Sequence, residues 1–527
     1  MKFHLLPALA LSGLVVTTIP AGSALAQSRA DAEAALTRMG LLGRESDTFR
    51  YERADWSGGR YILSGVVVTD LDVDNKDVDL DTAGEMRIER MIFDAPRIDA
   101  SDDVVFDGLA IEGLSMNEPG SDGFVRLAHL AVEGPNAVMA ADLARMISGD
   151  DDFEPDWSAY RFDTLGFEGF DAEGDGEEGP YDVAVEQFVL QDYGDIELGR
   201  MALMGVAVEA TAENGPASFR LDELTLTGFR SSAYSELMET IARGGDEDAV
   251  MDAYYRTAFT PQLDLFDRFT LRGLAGDAEG VAFAVDNLVG SVDKTGSRYA
   301  YSVGLDSARL VPDASQPAGA QVATALGMLG YEHVEMSLAA NTVYDESTGR
   351  ARTVGDNYIE LHDGLRIEMT QDLGGYNEYY AALPAAAEAL QGAAEDEEAT
   401  AEQADAMMKL MAPIVLHDLS MRIVDLSLLD RALEAGAASQ GITTEELRMQ
   451  TAAMIGVGLL SAPPDVPRPL LAQLSEALTA FINQGGSLTV RAMPPDPISI
   501  GAITDQIEAG TFDYNALGLS FTADVPE

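Results

Sequence analysis

The sequence predicts an α+β protein with a long, curved, mainly antiparallel β-sheet, helical inserts and a helix-rich C-terminal third. Apolar and polar residues alternate in segments such as those starting at Phe219 and Tyr299. This alternation is typical of strands with one face packed and the other in water. Beyond Gly375 the composition becomes Ala-rich and helical in character. The whole chain is 46% apolar, as is usual for a globular protein, so its strong acidity does not indicate global disorder.

Local signals place the helices. Ser28 is positioned to cap a short helix over residues 28–42, and Thr443 with Glu446 forms a capping box. The stretch from Pro467 to Asn483 carries a single apolar stripe, which indicates an amphipathic helix. Two helical inserts are expected within the strand region, at 232–259 and 318–329.

Two features describe the strands. The turn residues from Asp345 to Gly349 predict a hairpin over 338–361. A short motif, apolar-x-Gly-apolar, also recurs at unequal intervals, so the chain is not a fixed-period solenoid. Its glycines either mark repeated bulges that let a sheet curve or recur by chance in a Gly-rich β protein. They are Gly113, Gly169, Gly205, Gly228 and Gly273.

Changes in composition divide the chain into four parts. They are a signal peptide (1–26), an N-terminal helix (27–45), a β-rich curved-sheet region (46–375) and a helix-rich α+β C-terminal region (376–527).

The first 26 residues are typical of a secretory signal. Lys2 precedes a short apolar run, and Ala24-Leu25-Ala26 fits the small-residue cleavage rule. The alternative is an uncleaved anchor, which the shortness of the run and Pro20 disfavour. No later apolar run is long enough to span a membrane. The chain has no Cys, so an exported form has no disulfides, and we expect a Gram-negative periplasmic location.

The formal net charge of −57 limits the partners. Nucleic acid is excluded as an expected partner because phosphate binding requires clustered Lys and Arg. Anionic membrane surfaces repel such a chain, so contact with a membrane must be apolar or bridged by divalent cations.

No catalytic or cofactor motif is convincing, so we expect a non-enzymatic protein without a cofactor. Gly174 to Gly179 matches the dinucleotide fingerprint in its letters, but its acidic residues oppose a pyrophosphate, and an acidic loop is the better interpretation. The histidines after the signal are widely separated in sequence and give no local metal spacing. They are His129, His333, His362 and His417.

The best metal candidate is the acidic run that begins at Asp70. Asp70, Asp72 and Asp74, with Asp81, occupy four ligand positions of an EF-hand-like loop. Asn75 stands where that loop needs Gly, and Asp81 replaces its bidentate Glu. Apolar residues alternate with the acids, so a β-hairpin with a wet acidic face is preferred over a weak Ca²⁺ site.

The signal peptide, the alternating strands and the repeated glycine motif resemble those of AsmA-like and TamB-like bacterial envelope proteins, including the YdgA-like branch. Two segments carry the likeness most directly. Residues 341–369 have a strand-turn-strand pattern, and residues 419–431 have the pattern of a strand followed by a helix. The resemblance implies a curved sheet with an apolar trough and a role in envelope lipid or outer-membrane homeostasis. It implies no catalytic residues.

Three functions follow as hypotheses. The first is a periplasmic envelope protein that binds or passes lipid, or another apolar ligand, in a β-rich groove lined by Phe219, Leu221, Tyr299 and Tyr301. The second is a structural or scaffolding envelope protein with packed sheet faces, whose partners are other envelope proteins. The third is an envelope hydrolase that uses a carboxylate pair, which requires a pocket with two close acids of perturbed pKa.

Overall fold

The computed structural model describes most of the chain after the predicted signal peptide. The described structure is 52% strand and 28% helix. The predicted α+β class, with a large, mainly antiparallel sheet, helical inserts and a helix-rich C-terminal third, is confirmed. The described residues are 28–43, 49–71, 84–117, 123–149, 157–176, 179–195, 197–212, 215–230, 240, 250, 263–392, 400–460 and 466–525. The predicted signal peptide and almost all of the predicted 232–259 insert lie outside them.

The chain forms two compact units. Unit 1 comprises Met1–Ser232 and Arg268–Glu279, and unit 2 comprises Ala233–Asp267 and Gly280–Glu527. The composition change after Gly375 falls inside unit 2, where a strand ends at Gly374 and a helix begins at Tyr376. That change therefore separates strand-rich from helix-rich content within one compact unit.

Unit 1 is built on an antiparallel meander. Its strands are β1 (Phe49–Arg50), β2 (Arg53–Ser57), β3 (Arg60–Leu71), β4 (Gly84–Asp94), β5 (Arg97–Ile98), β6 (Val104–Val105), β7 (Gly108–Asn117), β8 (Phe124–Glu133), β9 (Phe162–Gly176), β10 (Gly179–Gly194), β11 (Glu197–Ala212), β12 (Gly215–Arg230) and β13 (Arg268–Ala278). Strands β1 and β2 pair with β3, and the order continues β3-β4-β7-β8-β9-β10-β11-β12-β13. Strands β5 and β6 form a separate small ribbon.

Two helices help to form the core of unit 1. Helix α1 (Arg29–Arg38) has the predicted Ser28 cap, and α2 (Ala137–Ser148) is capped by Asn136. Ala32, Ala35 and Ala140 are completely buried, because small side chains let a helix approach its neighbours closely. They join Leu63 and Phe93 of the sheet in one hydrophobic cluster, so this apolar face is covered.

The recurring glycines of unit 1 lie in a transverse line across the sheet. Gly113, Gly169, Gly205 and Gly273 all have φ between +60° and +63°. The strand registers place these glycines in line on every second strand from β7 to β13. The strands between them contribute Ala128, Glu186 and Asp222 to the same line. We call this line the glycine crease. The motif therefore marks a structural device, and Gly228, with φ +63°, lies six residues along the chain from Asp222.

The crease changes which residues face the core. At this line strand β10 has two successive polar residues, Glu186 and Gln187, between the apolar residues Val185 and Phe188, which both join the core. Each strand of the line has one such extra residue, so the pairing register is preserved on both sides of it.

The strands of unit 2 are also antiparallel. Its strands are β14 (Val281–Thr295), β15 (Arg298–Pro312), β16 (Val334–Asp345), β17 (Arg350–Thr353), β18 (Tyr358–Leu361), β19 (Leu365–Gly374), β20 (Val415–Asp425), β21 (Ser487–Ala492), β22 (Ile498–Ser499) and β23 (Leu519–Asp524). The order is β14-β15-β16, then β17 and β18, which lie one after the other between β16 and β19, then β19-β20-β21-β23. The predicted hairpin is confirmed, because Asp345 and Arg350 are paired neighbours across its turn.

The helices of unit 2 follow its strands. They are α3 (Pro317–Met328), α4 (Tyr376–Gly392), α5 (Thr400–Met411), α6 (Leu428–Gln440), α7 (Thr444–Leu460), α8 (Arg468–Gln484) and α9 (Ile500–Glu508). The 318–329 insert, the capping box and the amphipathic helix are confirmed as α3, the start of α7 and α8. Helix α8 packs on β23, and α7 packs between α6 and α8.

Candidate ligand-binding face

One face of the unit 2 sheet carries an unbroken apolar row. Residues that are direct partners on antiparallel strands point to the same face. The registers therefore align seven aliphatic side chains across seven strands: Leu288, Leu305, Leu338, Ile359, Ile367, Ile423 and Leu488. A second row on the same face joins Met369 to Met421 and then to Val490 and Phe521. We call this surface the open face.

Part of the open face is accessible to solvent. Ile359 is 51% exposed, Met369 45%, Met336 40%, and Leu419 and Met421 37% each. A single exposed apolar residue is ordinary, but large ones adjacent on one sheet face form a contiguous patch. Methionine side chains are flexible and polarisable, so they adapt to irregular apolar partners.

The opposite face of the same strands is charged. Arg366 lies 3.1 Å from Glu360 and 3.0 Å from Glu368, and Arg422 lies 3.1 Å from Glu368. Arg491 and Asp418 form a further pair at 2.6 Å. Alternation along β19 and β20 therefore separates an apolar face from one stabilised by paired charges.

A tyrosine cluster covers the β15–β16 end of this apolar face. Tyr299 and Tyr301 of β15 stack 6.4 Å apart, Tyr344 of β16 packs beside them, and Tyr376 and Tyr380 of α4 close over Tyr344. The Tyr301 hydroxyl donates to the Leu263 carbonyl at 2.9 Å, and the Tyr344 hydroxyl to Asn377 at 2.5 Å.

Burial disfavours the ionised form of two of these phenols, Tyr301 and Tyr380. It raises the pKa of Tyr301, and it raises the pKa of Tyr380 to about 12, with nearby tyrosines adding to both shifts. Tyr299 is only 4% exposed. The two groove tyrosines predicted from sequence are therefore together, but they form a packed anchor for α4 beside the open face.

The other two predicted groove residues lie in unit 1. Phe219 and Leu221 share one face of β12, two residues apart. Leu221 is buried, whereas Phe219 is 37% exposed. The structure thus divides the predicted groove set into two pairs, one in each unit.

The predicted Ca²⁺ candidate falls largely outside the described residues. Asp72 and Asp74 are not among them, and of Asp70 only the backbone, near the end of β3, is described. Strands β3 and β4 do pair antiparallel, with Leu71 opposite Gly84. Among the described residues, no three His, Asp or Glu side chains are placed to hold a metal ion.

Unit 1 contains two open hollows among its described residues, and the one at the strand ends has a mainly polar lining. One of about 380 Å³ lies at the strand ends and is lined by residues that include Arg161, Asp163, Asp192 and Asp195. Arg161 pairs with Asp195 there. Burial raises the pKa of Asp94 and of Glu133, and neither residue lines that hollow.

The comparisons with known proteins identify no activity. A family model described as "Uncharacterized protein" matches residues 358–524. That stretch begins at β18 and ends at β23, so it contains much of the open face and α4 to α9. No curated protein matches the chain. None of the described helices is both long and apolar enough to cross a membrane.

The open face was missed at the sequence level although its signal was present. Leu365-Arg-Ile-Glu-Met369 and Leu419-Ser-Met-Arg-Ile423 both alternate cleanly. The alternation predicts an apolar face on each strand, but it does not give the cross-strand register that aligns Met369 with Met421. It also does not predict whether another element covers that face.

Proposed function

We propose that this protein is a non-enzymatic periplasmic envelope protein that passes lipid acyl chains along the open face of unit 2. The observation that supports the proposal best is the exposure of Ile359, Met369 and Met421 on one sheet face whose reverse side carries ion pairs. A scaffolding role needs no such uncovered apolar surface. The resemblance to AsmA-like envelope proteins agrees with a role in lipid handling.

The chemistry of the open face suits an acyl chain. The aligned row from Leu288 to Ile423 contains only aliphatic side chains, so it offers a hydrocarbon chain no charged or hydrogen-bonding group to desolvate, whereas Leu488 at the end of the row is buried. Neighbouring strands lie about 4.8 Å apart, so the row from Leu288 to Ile423 extends roughly 24 Å across six strands. That is longer than an extended chain of sixteen carbons.

The strength of the contact favours transfer over storage. Burying a methylene group is worth about 0.8 kcal/mol. If a flat face covers half of the surface of about ten methylene groups, their burial contributes roughly 4 kcal/mol to binding. This binding free energy corresponds to a Kd of about 1 mM. A ligand held this weakly exchanges quickly, as a passing role requires.

Photolabelling with a diazirine-bearing palmitic acid tests the proposal. We expect covalent adducts on peptides of β18, β19 and β20, mapped by mass spectrometry. The double variant Met369→Glu/Met421→Glu places two carboxylates on the open face and should lower the adduct yield at least about tenfold, because burying a charge against an acyl chain is strongly unfavourable.

A matched control uses the neighbouring pair on the charged face. Thr370 and Ser420 are also direct cross-strand partners, so Thr370→Glu/Ser420→Glu adds the same two charges to the same strands. This control should be labelled like the unchanged protein. Equal labelling of both double variants, or adducts confined to unit 1, would exclude the open face as the binding surface.

A further inference from the structure

Helix α7 carries a second exposed apolar surface, distinct from the open face. Met449 is 59% exposed, Met454 63% and Val457 65%. Their spacings of five and three residues, at about 100° per residue, place these three side chains within an arc of about 140° on the helix. A Cβ added at Gly456 or Gly458 would meet no atom within 4 Å, so this side is open within the described part of the chain. We call it the α7 tip.

The α7 tip is also free of charge. Residues 449–464 contain no Asp, Glu, Lys or Arg, whereas 23% of the chain is charged. At that frequency sixteen residues would hold between three and four charged ones, since 0.23 × 16 is about 3.7. Arg448 is the last charged residue before this uncharged stretch. Its side chain pairs with Asp430 of α6 and donates to the Ile482 carbonyl of α8.

The contrast with α8 shows what the α7 tip lacks. The apolar stripe of α8 includes Leu474, Leu478 and Phe481, and that helix packs on β23 and β21. All three of these residues are half-buried. The corresponding side chains of the α7 tip stay mostly exposed, although Arg448 fixes the start of the helix between α6 and α8.

We propose that the α7 tip docks this protein on the surface of zwitterionic lipid bilayers by inserting Met449, Met454 and Val457 into one leaflet. Charge identifies the occupant. A second copy would bring another −57 charges against the first, and a basic protein would be drawn to the acidic surfaces instead of an uncharged tip. The interior of a bilayer is an apolar partner without charge.

The geometry limits the depth of insertion. The nine residues from Ala452 to Leu460 rise about 13.5 Å along the helix, which is less than half of the ~30 Å hydrocarbon core of a bilayer. Three side chains cover less apolar area than a myristoyl chain, whose partition constant is about 10⁴ M⁻¹, so docking is weak and reversible.

The lipid preference follows from the net charge. Basic amphipathic helices bind more strongly as the anionic lipid fraction rises. The α7 tip supplies no free cation and belongs to a strongly negative chain, so its binding should decrease with that fraction. This inverse dependence is the signature of the proposal.

Flotation of the full chain with phosphatidylcholine vesicles tests it. We expect the protein to float with these vesicles and to lose binding as phosphatidylglycerol is added at low salt. Met454→Glu/Val457→Glu should reduce flotation at least tenfold. Because both side chains are over 60% exposed, the variant should keep the urea unfolding midpoint of the unchanged protein.

The matched control lies on α3. Ala325 and Met328 have the same three-residue spacing on an exposed side of that helix, and Met328 is 69% exposed. Ala325→Glu/Met328→Glu should therefore float normally. The open-face variant Met369→Glu/Met421→Glu should also float normally while losing photolabelling, and the α7 variant should show the reverse. The two proposals thus fail separately.

Three outcomes would overturn the docking proposal. The first is equal flotation of the α7 variant and the unchanged protein. The second is stronger binding to anionic vesicles than to phosphatidylcholine, or no binding to either. The third is a concentration-dependent dimer that Met454→Glu/Val457→Glu dissociates, because the tip would then be an interface between copies.

Discussion

The sheets of the two units present their apolar faces differently. In unit 1 that face belongs to a cluster completed by α1 and α2, in which Leu63 and Phe93 are completely buried. In unit 2 the corresponding face leaves Ile359 51% exposed. The strands of both units carry an apolar face, so the difference arises from which helices pack on that face. Alternation therefore defines an apolar face, and only tertiary packing decides whether that face becomes core or surface.

The largest expected effect tests this difference in cover. Phe93 is fully buried in unit 1, with its ring 5.8 Å from that of Phe106. Phe93→Ala leaves a cavity and should cost about 3–5 kcal/mol of the free energy of unfolding of unit 1. Both tryptophans, Trp56 and Trp157, lie in unit 1, so their fluorescence in urea reports its unfolding.

The matched change in unit 2 is Met369→Ala on the open face. It should cost less than about 1 kcal/mol, because nearly half of the side chain is already in water. Hydrogen exchange of β19 and β20, followed by mass spectrometry, measures this. A cost comparable to that of Phe93→Ala would mean that the open face is covered in solution.

The next effect concerns the glycine crease. Gly205 has φ +60°, and an added Cβ would lie 2.5 Å from the Cβ of Glu186 on the neighbouring strand. Gly205→Ala should therefore destabilise unit 1 by roughly 2 kcal/mol, since left-handed backbone alone costs an L-residue about 1–2 kcal/mol. The urea midpoint followed by tryptophan fluorescence measures the loss.

Gly304 provides the control in unit 2. It lies in β15, its φ is outside the left-handed region, and an added Cβ would meet nothing within 4 Å. Gly304→Ala should be neutral or should stabilise by a few tenths of a kcal/mol, because alanine reduces the entropy of the unfolded chain. Similar losses at both glycines would show that the crease has no special backbone requirement.

The sequence predicts much of this architecture but less of the candidate site. Alternation, caps and turn residues give the strands, α1, α3 and α8, because these signals are local. The glycine motif is also local, yet its role in the sheet depends on the strand register. Gly113 and Gly169 are 56 residues apart in sequence, and they align on either side of β8 only once β7, β8 and β9 are paired.

The candidate site is harder to predict because it depends on what is absent around a residue. Tyr299 and Met369 both belong to alternating strands, but α4 packs over the tyrosines and leaves the methionine exposed. The apolar character of a strand predicts burial as its default outcome. The exposed methionines therefore require the tertiary structure before they can be recognised.

The smallest expected effect is a pH dependence of opposite sign in the two units. In unit 2, hydrogen bonds from Ser347 and Arg298 lower the pKa of Asp345 to about 2. A lowered pKa stabilises the folded state above the ordinary value of 3.8, and this contribution is lost as the pH falls toward 2. The destabilisation caused by Asp345→Asn should thus be constant above about pH 4 and decline toward zero near pH 2.

In unit 1, burial raises the pKa of Asp94. The ion pair with Arg60, 2.6 Å away, lowers this pKa but only partly offsets the effect of burial. The folded state then favours the protonated carboxyl, so its contribution is full below the ordinary value of 3.8 and is lost as the pH rises through the folded pKa. The stability of Asp94→Asn relative to the unchanged protein should therefore increase with pH, whereas that of Asp345→Asn should decrease. Urea midpoints from pH 2 to pH 7, with tryptophan fluorescence for unit 1 and hydrogen exchange for unit 2, compare the slopes. Slopes of the same sign would contradict the inference that burial dominates at Asp94 and hydrogen bonding dominates at Asp345.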